Sequence, residues 1–449
     1  MMSIMTIILL VLRNRLMFNS MKVVEKKYML PFCLVTSLFL LWGIANNMTD
    51  TLLSAFKRIM SMTDTQTSLI QFAFYGSYFC FALPAALYIK KKSYKAGVIL
   101  GLCLYAAGAI LFFPASKTAS YAFYLIAIYI LAGGCSVLET TANPYILSMG
   151  APETATRRLN VAQAFNPIGS ITGILLSQFF ILSELSSASA EERALMSPEQ
   201  LEAMQAHELG AVTGTYMTLG FVLLAIMVVM LFAKMPGGAD KGSDDKLGTT
   251  FKRLFSNKQY GWGVVAQFFY NGAQIGTWSF TIRIVMQELG MLEADAASIY
   301  LYAIIGFCVS RFIYTWLMKY FRPSVLLTFG GIMSTICVLI VVFGSGTGWF
   351  MVVFLMLTSF FMSLMFPTIY GLALGVINEG PNPEDSKIGA SGLIMSIFGG
   401  AVITPIQGMI SDAYGVYTSY LVPAFCFAVI LGYAIYVVRC ENKAKKSMA

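Results

Sequence analysis

Twelve apolar runs of roughly 20 residues recur along this chain, each long enough to cross a hydrocarbon core as an α-helix. They lie near 29–54, 67–89, 95–114, 121–147, 159–182 and 212–233, then near 260–286, 296–318, 324–343, 348–377, 388–410 and 417–438. Lipid offers backbone groups no partner, so a spanning segment must be a helix or part of a closed barrel. Barrel strands alternate apolar and polar residues, and these runs do not. Only 12% of the residues are charged, against about 25% in soluble domains. The pattern predicts an all-α membrane protein with twelve transmembrane helices.

Loop charge sets the expected orientation. With the N-terminus inside, 24 of the 30 Lys and Arg residues fall in inside segments, against 4 in outside loops. That bias is the positive-inside pattern, and it puts both termini in the cytoplasm. Segment 1–27 is expected to be a cytoplasmic N-terminal stretch. Its apolar run from Ile4 to Leu12 is too short to span and has no small-residue cleavage site after it, so no signal peptide is expected; Met17 and Met21 are alternative starts. Residues 28–234 form a first six-helix half, 235–259 a cytoplasmic linker rich in Gly and mixed charge, 260–438 a second half and 439–449 a cytoplasmic tail. The halves echo one another. Asn143-Pro144-Tyr145 in span 4 matches Phe366-Pro367-Thr368 in span 10, and spans 5 and 11 are both rich in Gly, Ser and Pro. Two parallel six-span halves with a cytoplasmic linker describe the major facilitator fold. In the outer loop before span 6, Ser197-Pro198 is a helix start.

Several function classes are disfavoured. The net charge of +8 resides in short loops, where topology explains it, so no nucleic-acid partner is expected. Seven of the eight cysteines fall inside spans, and no CxxC pair occurs, so neither a disulfide framework nor a metal site is expected. No nucleophile–base constellation suggests an enzyme.

The polar residues inside the spans carry the functional signal. Glu139 stands in the middle of span 4, with Thr140, Thr141 and Asn143 after it. A carboxylate at the centre of a membrane helix costs roughly 2.5–3.5 kcal/mol on insertion scales, which marks such a residue as functional. Span 1 carries Asn46, Asn47 and Asp50 on one side, and span 5 carries Asn160, Gln163 and Asn166 at intervals of three. Span 7 carries Gln267, Asn271, Gln274 and Trp278 at intervals of four, three and four. Such spacings place side chains on one helix face. In a two-half transporter spans 1, 4, 7 and 10 line the central cavity, with span 5 beside it. The expected lining is amides, hydroxyls, two carboxyls and aromatics (Trp42, Tyr75, Tyr78, Trp278, Phe366) without a basic cluster. Amides and carboxyls bond hydroxyl groups, and aromatic faces cover the apolar face of a sugar ring. A neutral, hydroxyl-rich solute fits such a lining better than an anion. Asp50 and Glu139 are the candidate proton-coupling pair, because burial favours the neutral carboxyl; no third acid favours sodium. Arg311 in span 8 is expected to pair with a carbonyl or an acid rather than to bind substrate, and Asp412 to be solvated.

These residues are similar to a known family. Asn46-Asn47-Met48-Thr49-Asp50, Leu138-Glu139-Thr140-Thr141-Ala142-Asn143-Pro144, Leu159 to Asn166, Met196-Ser197-Pro198-Glu199-Gln200-Leu201, and Gln267 to Trp278 resemble the bacterial L-fucose:proton symporters (fucose permeases) from about Tyr28 to about Tyr436. The resemblance implies proton-coupled uptake of L-fucose across a bacterial inner membrane by a multi-pass protein, a monomer whose other contacts are membrane lipid, with the proton as coupling ion and no cofactor. It assigns proton handling to Asp50, and sugar recognition with protonation to Glu139. Cavity amides carry over to Asn47, Gln163 and Asn166; Asn143, Gln267, Asn271, Gln274, Trp278 and Phe366 complete the expected sugar site. Relatives that carry glucose, galactose or N-acetylglucosamine resemble this chain too, but have glutamine at the position of Glu139. The fucose family reads Gln-Tyr-Pro where this chain has Met365-Phe366-Pro367, which leaves the sugar open between L-fucose and other neutral sugars. A sugar sensor that binds without transport is a further alternative.

Overall fold

The structure is a computed structural model. It describes residues 23–60, 62, 64–118, 120–186, 188, 192–193, 195–235 and 247–448; the side chains of 49–54, 57–58, 64–68, 293–294 and 447–448 lie outside the description. The regular elements among the described residues are all helices, with no strand. The first half comprises α1 (Met29–Ile59), α2 (Asp64–Lys91), α3 (Tyr94–Ile110), α4 (Phe112–Thr118), α5 (Tyr121–Leu147), α6 (Ala155–Gln163), α7 (Phe165–Phe180) and α8 (Pro198–Phe232). A short α9 (Leu247–Ser256) leads into the second half. There follow α10 (Lys258–Leu289), α11 (Glu293–Leu317), α12 (Pro323–Phe343), α13 (Trp349–Met362), α14 (Met365–Asn378), α15 (Ser386–Met395), α16 (Gly399–Tyr414), α17 (Val416–Ser419) and α18 (Leu421–Met448).

Eleven helical segments among the described residues are long and apolar enough to cross a bilayer. The remaining predicted span is α10, which at 32 residues has the length but carries the Gln267–Trp278 polar stripe. Several predicted spans are interrupted. Span 5 divides into α6 and α7 at Ala164, and span 10 into α13 and α14 at Ser363-Leu364. Proline supplies the cause: Pro167 and Pro367 lack the N–H that would close the helical bond to the carbonyl four residues earlier. Span 6 is longer than its apolar run. Ser197 and Gln200 form a reciprocal capping box with Pro198 in the first turn, and the outer-loop helix continues without a break into the span. At 35 residues α8 is about 52 Å long, so it projects well past a hydrocarbon core of about 30 Å.

Small residues set the closest approaches. A Cβ on Gly43 of α1 would land on the Asn166 carbonyl oxygen, and one on Gly169 of α7 would land on that of Leu40. This is the backbone contact that small residues permit in membranes, where packing replaces the hydrophobic drive. The C-terminal end of α5 is fixed differently. Arg158, fully buried, donates to the carbonyls of Ile146 (2.7 Å), Leu147 and Val23 (2.9 Å).

The buried apolar residues gather into two cores. One belongs wholly to the second half; the other holds the first half together with Tyr260, Tyr370, Leu374, Ile388 and Leu393 of the second. The two halves are thus packed together toward the end of the bundle where α1 begins and α18 ends. At this seam Asn160 Nδ2 donates to Thr368 Oγ1 (3.3 Å), Gly371 abuts Thr156, and Lys387 Nζ sits 5.4 Å from the Tyr94 ring centre.

Candidate functional site

Beyond the seam, between the two halves, lies a cavity of about 470 Å³. Its two walls differ chemically. The first half contributes Asn46, Asn47, Gln71, Tyr75, Tyr78, Glu139, Gln163, Asn166 and Ser170, mostly polar, together with Phe74 and Pro167. The second half contributes Asn271, Gln274, Ser279, Tyr300 and Arg311 among Ile275, Trp278, Ile282, Ile304, Phe307, Phe366 and Ile397. One wall therefore offers hydrogen bonds and the other mainly apolar and aromatic faces.

Glu139 is 7% exposed on α5. Its Oε1 accepts from the Tyr78 hydroxyl at 3.1 Å, and the Tyr78 backbone carbonyl accepts from Ser136 Oγ at 3.1 Å. Neither span arginine forms an ion pair with Glu139 among the described residues. Arg283 is 58% exposed and faces Asp412 at 3.8 Å, with Asp412 solvated as expected. Arg311 instead donates from Nε to the Ser363 carbonyl (2.8 Å) and from Nη1 to the Gln163 carbonyl (3.0 Å), with its guanidinium 4.7 Å from the Phe307 ring centre. The expected pairing with carbonyls is therefore present, and Arg311 also lines the cavity.

Eight of the expected sugar-site residues come together here: Glu139, Asn47, Gln163, Asn166, Asn271, Gln274, Trp278 and Phe366. Asn47 Nδ2 donates to the Gly43 carbonyl, and Asn166 Nδ2 to that of Phe39. Asn271 Nδ2 donates to the Gln267 carbonyl, and Trp278 Nε1 to Ser359 Oγ at 3.1 Å. Three expected residues lie off the lining. Asn143 stands one turn below Glu139, where its Oδ1 accepts from Gln163 Nε2 at 3.0 Å. Gln267 is fully buried with neither end of its amide bonded, at the low end of the stripe and off the lining. Trp42 packs edge-on against Phe39 at 4.4 Å, inside the core. Asp50 lies on α1, with its side chain outside the described residues.

The structure adds Gln71 and Tyr300 to the lining. Gln71, Tyr75 and Tyr78 stand at i, i+4 and i+7, a polar stripe that helical spacing could have revealed. Tyr300, Ile304, Phe307 and Arg311 repeat on α11 the four, three, four spacing of the α10 stripe. Aromatic and apolar members hid that repeat among ordinary membrane residues.

A family model for the Major Facilitator Superfamily matches residues 32–403. The chain is 42% identical over 424 residues to an L-fucose-proton symporter of Haemophilus influenzae, covering 92% of this chain and 97% of that one. It is 32% identical over 416 residues to a glucose/galactose transporter of Brucella abortus, covering 92% of this chain and 95% of that one. Among solved structures it is similar to the transporter FucP in the outward conformation, with a TM-score of 0.83, 37% identity, and coverage of 92% of this chain and 99% of that one. On the matched model, the extent of these likenesses and the shared architecture, the chain belongs to the Major Facilitator Superfamily.

Proposed function

We propose that this protein takes up L-fucose together with a proton across the bacterial inner membrane by alternating access. One observation carries the reading: a buried carboxyl, Glu139, is held by a phenol on the amide-rich wall of a cavity between two helical halves. The cavity volume of about 470 Å³ falls in the range of about 300–1,000 Å³ common to small-molecule sites. The two walls suit a monosaccharide. Its hydroxyls face Asn47, Gln163, Asn166 and Glu139, while its C–H face lies against Trp278 and Phe366. Asn271 and Gln274 supply the few hydrogen bonds of the second wall. Asn143 acts through its bond to Gln163, and Gln267 through the carbonyl that Asn271 binds.

Proton and sugar are linked at Glu139. When ionised, the carboxyl only accepts hydrogen bonds; when protonated, it gains an O–H donor. A protonated Glu139 can bond a sugar oxygen while presenting no charge to a closing, water-poor cavity, where an unpaired charge would be costly. Asp50 handles the proton toward the outer side. Residues 28–234 and 260–438 rock as two units joined by 235–259, with both termini cytoplasmic. The protein works as a monomer in lipid, with no cofactor besides the coupling proton.

A second sugar reading has its own support in the 32% identity to a glucose/galactose transporter. The acid at Glu139 favours L-fucose. The test is alkalinisation of lightly buffered medium by cells expressing this chain, across L-fucose, D-glucose, D-galactose and N-acetylglucosamine. L-Fucose should raise external pH most strongly; a response to another sugar with none to L-fucose overturns the assignment.

A further inference from the structure

Arg311 makes two bonds whose acceptors share an origin. In a continuous helix the carbonyl of Gln163 would accept from the N–H of residue 167, and that of Ser363 from residue 367. Both donors are missing, because the residues are Pro167 and Pro367. Each half therefore leaves one carbonyl unbonded at a helix interruption, and one buried guanidinium takes both. The Ser363 bond lies within the second half, whereas the Gln163 bond crosses between the halves. No carboxylate pairs with Arg311 among the described residues, so carbonyls carry the burden of a cation that is only 3% exposed.

From Gln163 the network continues into the cavity wall. Its amide donates to Asn143, one turn below Glu139 on the same helix face. We infer that Arg311 is a positioning residue, setting Gln163 in the cavity wall and tying the two halves together beneath the cavity. The planar fork of an arginine can serve two acceptors at separate nitrogens, which the point charge of a lysine cannot reproduce. Any rocking that opens the end where α1 begins and α18 ends separates α11 from α6 and breaks the Nη1 bond, while Nε keeps its hold on Ser363. Opening on that side and loosening of the Gln163 wall are therefore one event. On the transport reading, this releases sugar as the path to the inside opens.

The test reads the seam rather than the sugar, so it stands or falls apart from the transport reading. Thr368 is fully buried at the seam, where it accepts from Asn160. In membranes carrying Thr368→Cys, the rate of N-ethylmaleimide addition at position 368 is followed by mass spectrometry of that peptide. Cys135, fully buried inside the first half, serves as the control on the same protein. Adding Arg311→Gln or the more conservative Arg311→Lys should raise the rate at position 368 about tenfold or more, the factor expected for a lost hydrogen bond to a charged group, with Cys135 unchanged. An unchanged rate at position 368, or a rise shared by Cys135, overturns the inference, since the second result marks general destabilisation. Absence of sugar uptake by the unaltered protein would sink the transport reading and leave the seam result intact.

Discussion

The Tyr78 hydroxyl donates to Oε1 of Glu139 across 3.1 Å, joining α2 to α5 at the cavity wall. Both side chains are buried, so the bond is shielded from bulk water. Tyr78→Phe keeps the ring and removes the donor. A hydrogen bond between neutral groups contributes about 0.5–1.5 kcal/mol, so initial uptake at low sugar concentration should fall about two- to tenfold with protein level unchanged. Uptake rates at several sugar concentrations, normalised to protein in the membrane, check this.

Arg158 should matter for folding rather than for sugar. It bonds the last carbonyls of α5, of which that of Ile146 also accepts from the Met149 N–H at 3.2 Å. Arg158→Ala removes the buried donor to the Leu147 carbonyl, at a cost of about 1–3 kcal/mol, leaves that of Ile146 with the Met149 N–H alone, and should reduce the yield of folded protein. Arg158→Lys should recover only part of it, because one ammonium cannot reproduce the fork. Thermal unfolding of the detergent-solubilised variants measures the order.

The glycines of the first half should separate into two classes. Gly43→Ala drives a methyl into the Asn166 carbonyl, so α1 and α7 must part. Gly76 has nothing within 4 Å of an added Cβ, and alanine is the better helix former by about 1 kcal/mol. Gly43→Ala should lose most transport and thermal stability, whereas Gly76→Ala should keep both.

Glu288, beyond the apolar part of α10, gives a pH signature. Burial pushes its carboxyl up, but donors outweigh that: the Tyr417 hydroxyl and the backbone N–H groups of Gly346 and Gly348 leave it below its usual 4.5. The folded form therefore binds its proton less readily than the unfolded form. The stabilisation is fully present above about 4.5 and is lost as pH falls through the lower folded value. Glu288→Gln should flatten this acid-side loss of melting temperature and leave the neutral-pH slope unchanged.

The bundle was legible because lipid leaves a chain few options: continuous apolar runs had to become helices. Glu139, Gln163 and Asn271 were legible for the same reason, since a polar group in a span needs a purpose. What spacing could not show was depth. The stripe from Gln267 to Trp278 covers about 16 Å of helix, and only its upper part reaches the cavity. Asn143 shares a face with Glu139 but sits a turn too low. The interruptions at Ala164 and Ser363 were written in Pro167 and Pro367, yet a proline does not reveal which residue will take the carbonyl it frees. That needed the fold, which brings Arg311 from a helix remote in sequence.

The central claim is that Glu139, the sugar-facing member of the pair with Asp50, couples sugar to proton. Its most direct test is L-fucose-induced proton movement in proteoliposomes with a pH-sensitive dye trapped inside, comparing the unaltered protein with Glu139→Gln. The unaltered protein should acidify the lumen when L-fucose is added outside. Glu139→Gln should give no acidification and no accumulation of labelled sugar against its gradient. Full acidification and full concentrative uptake by Glu139→Gln would contradict the claim.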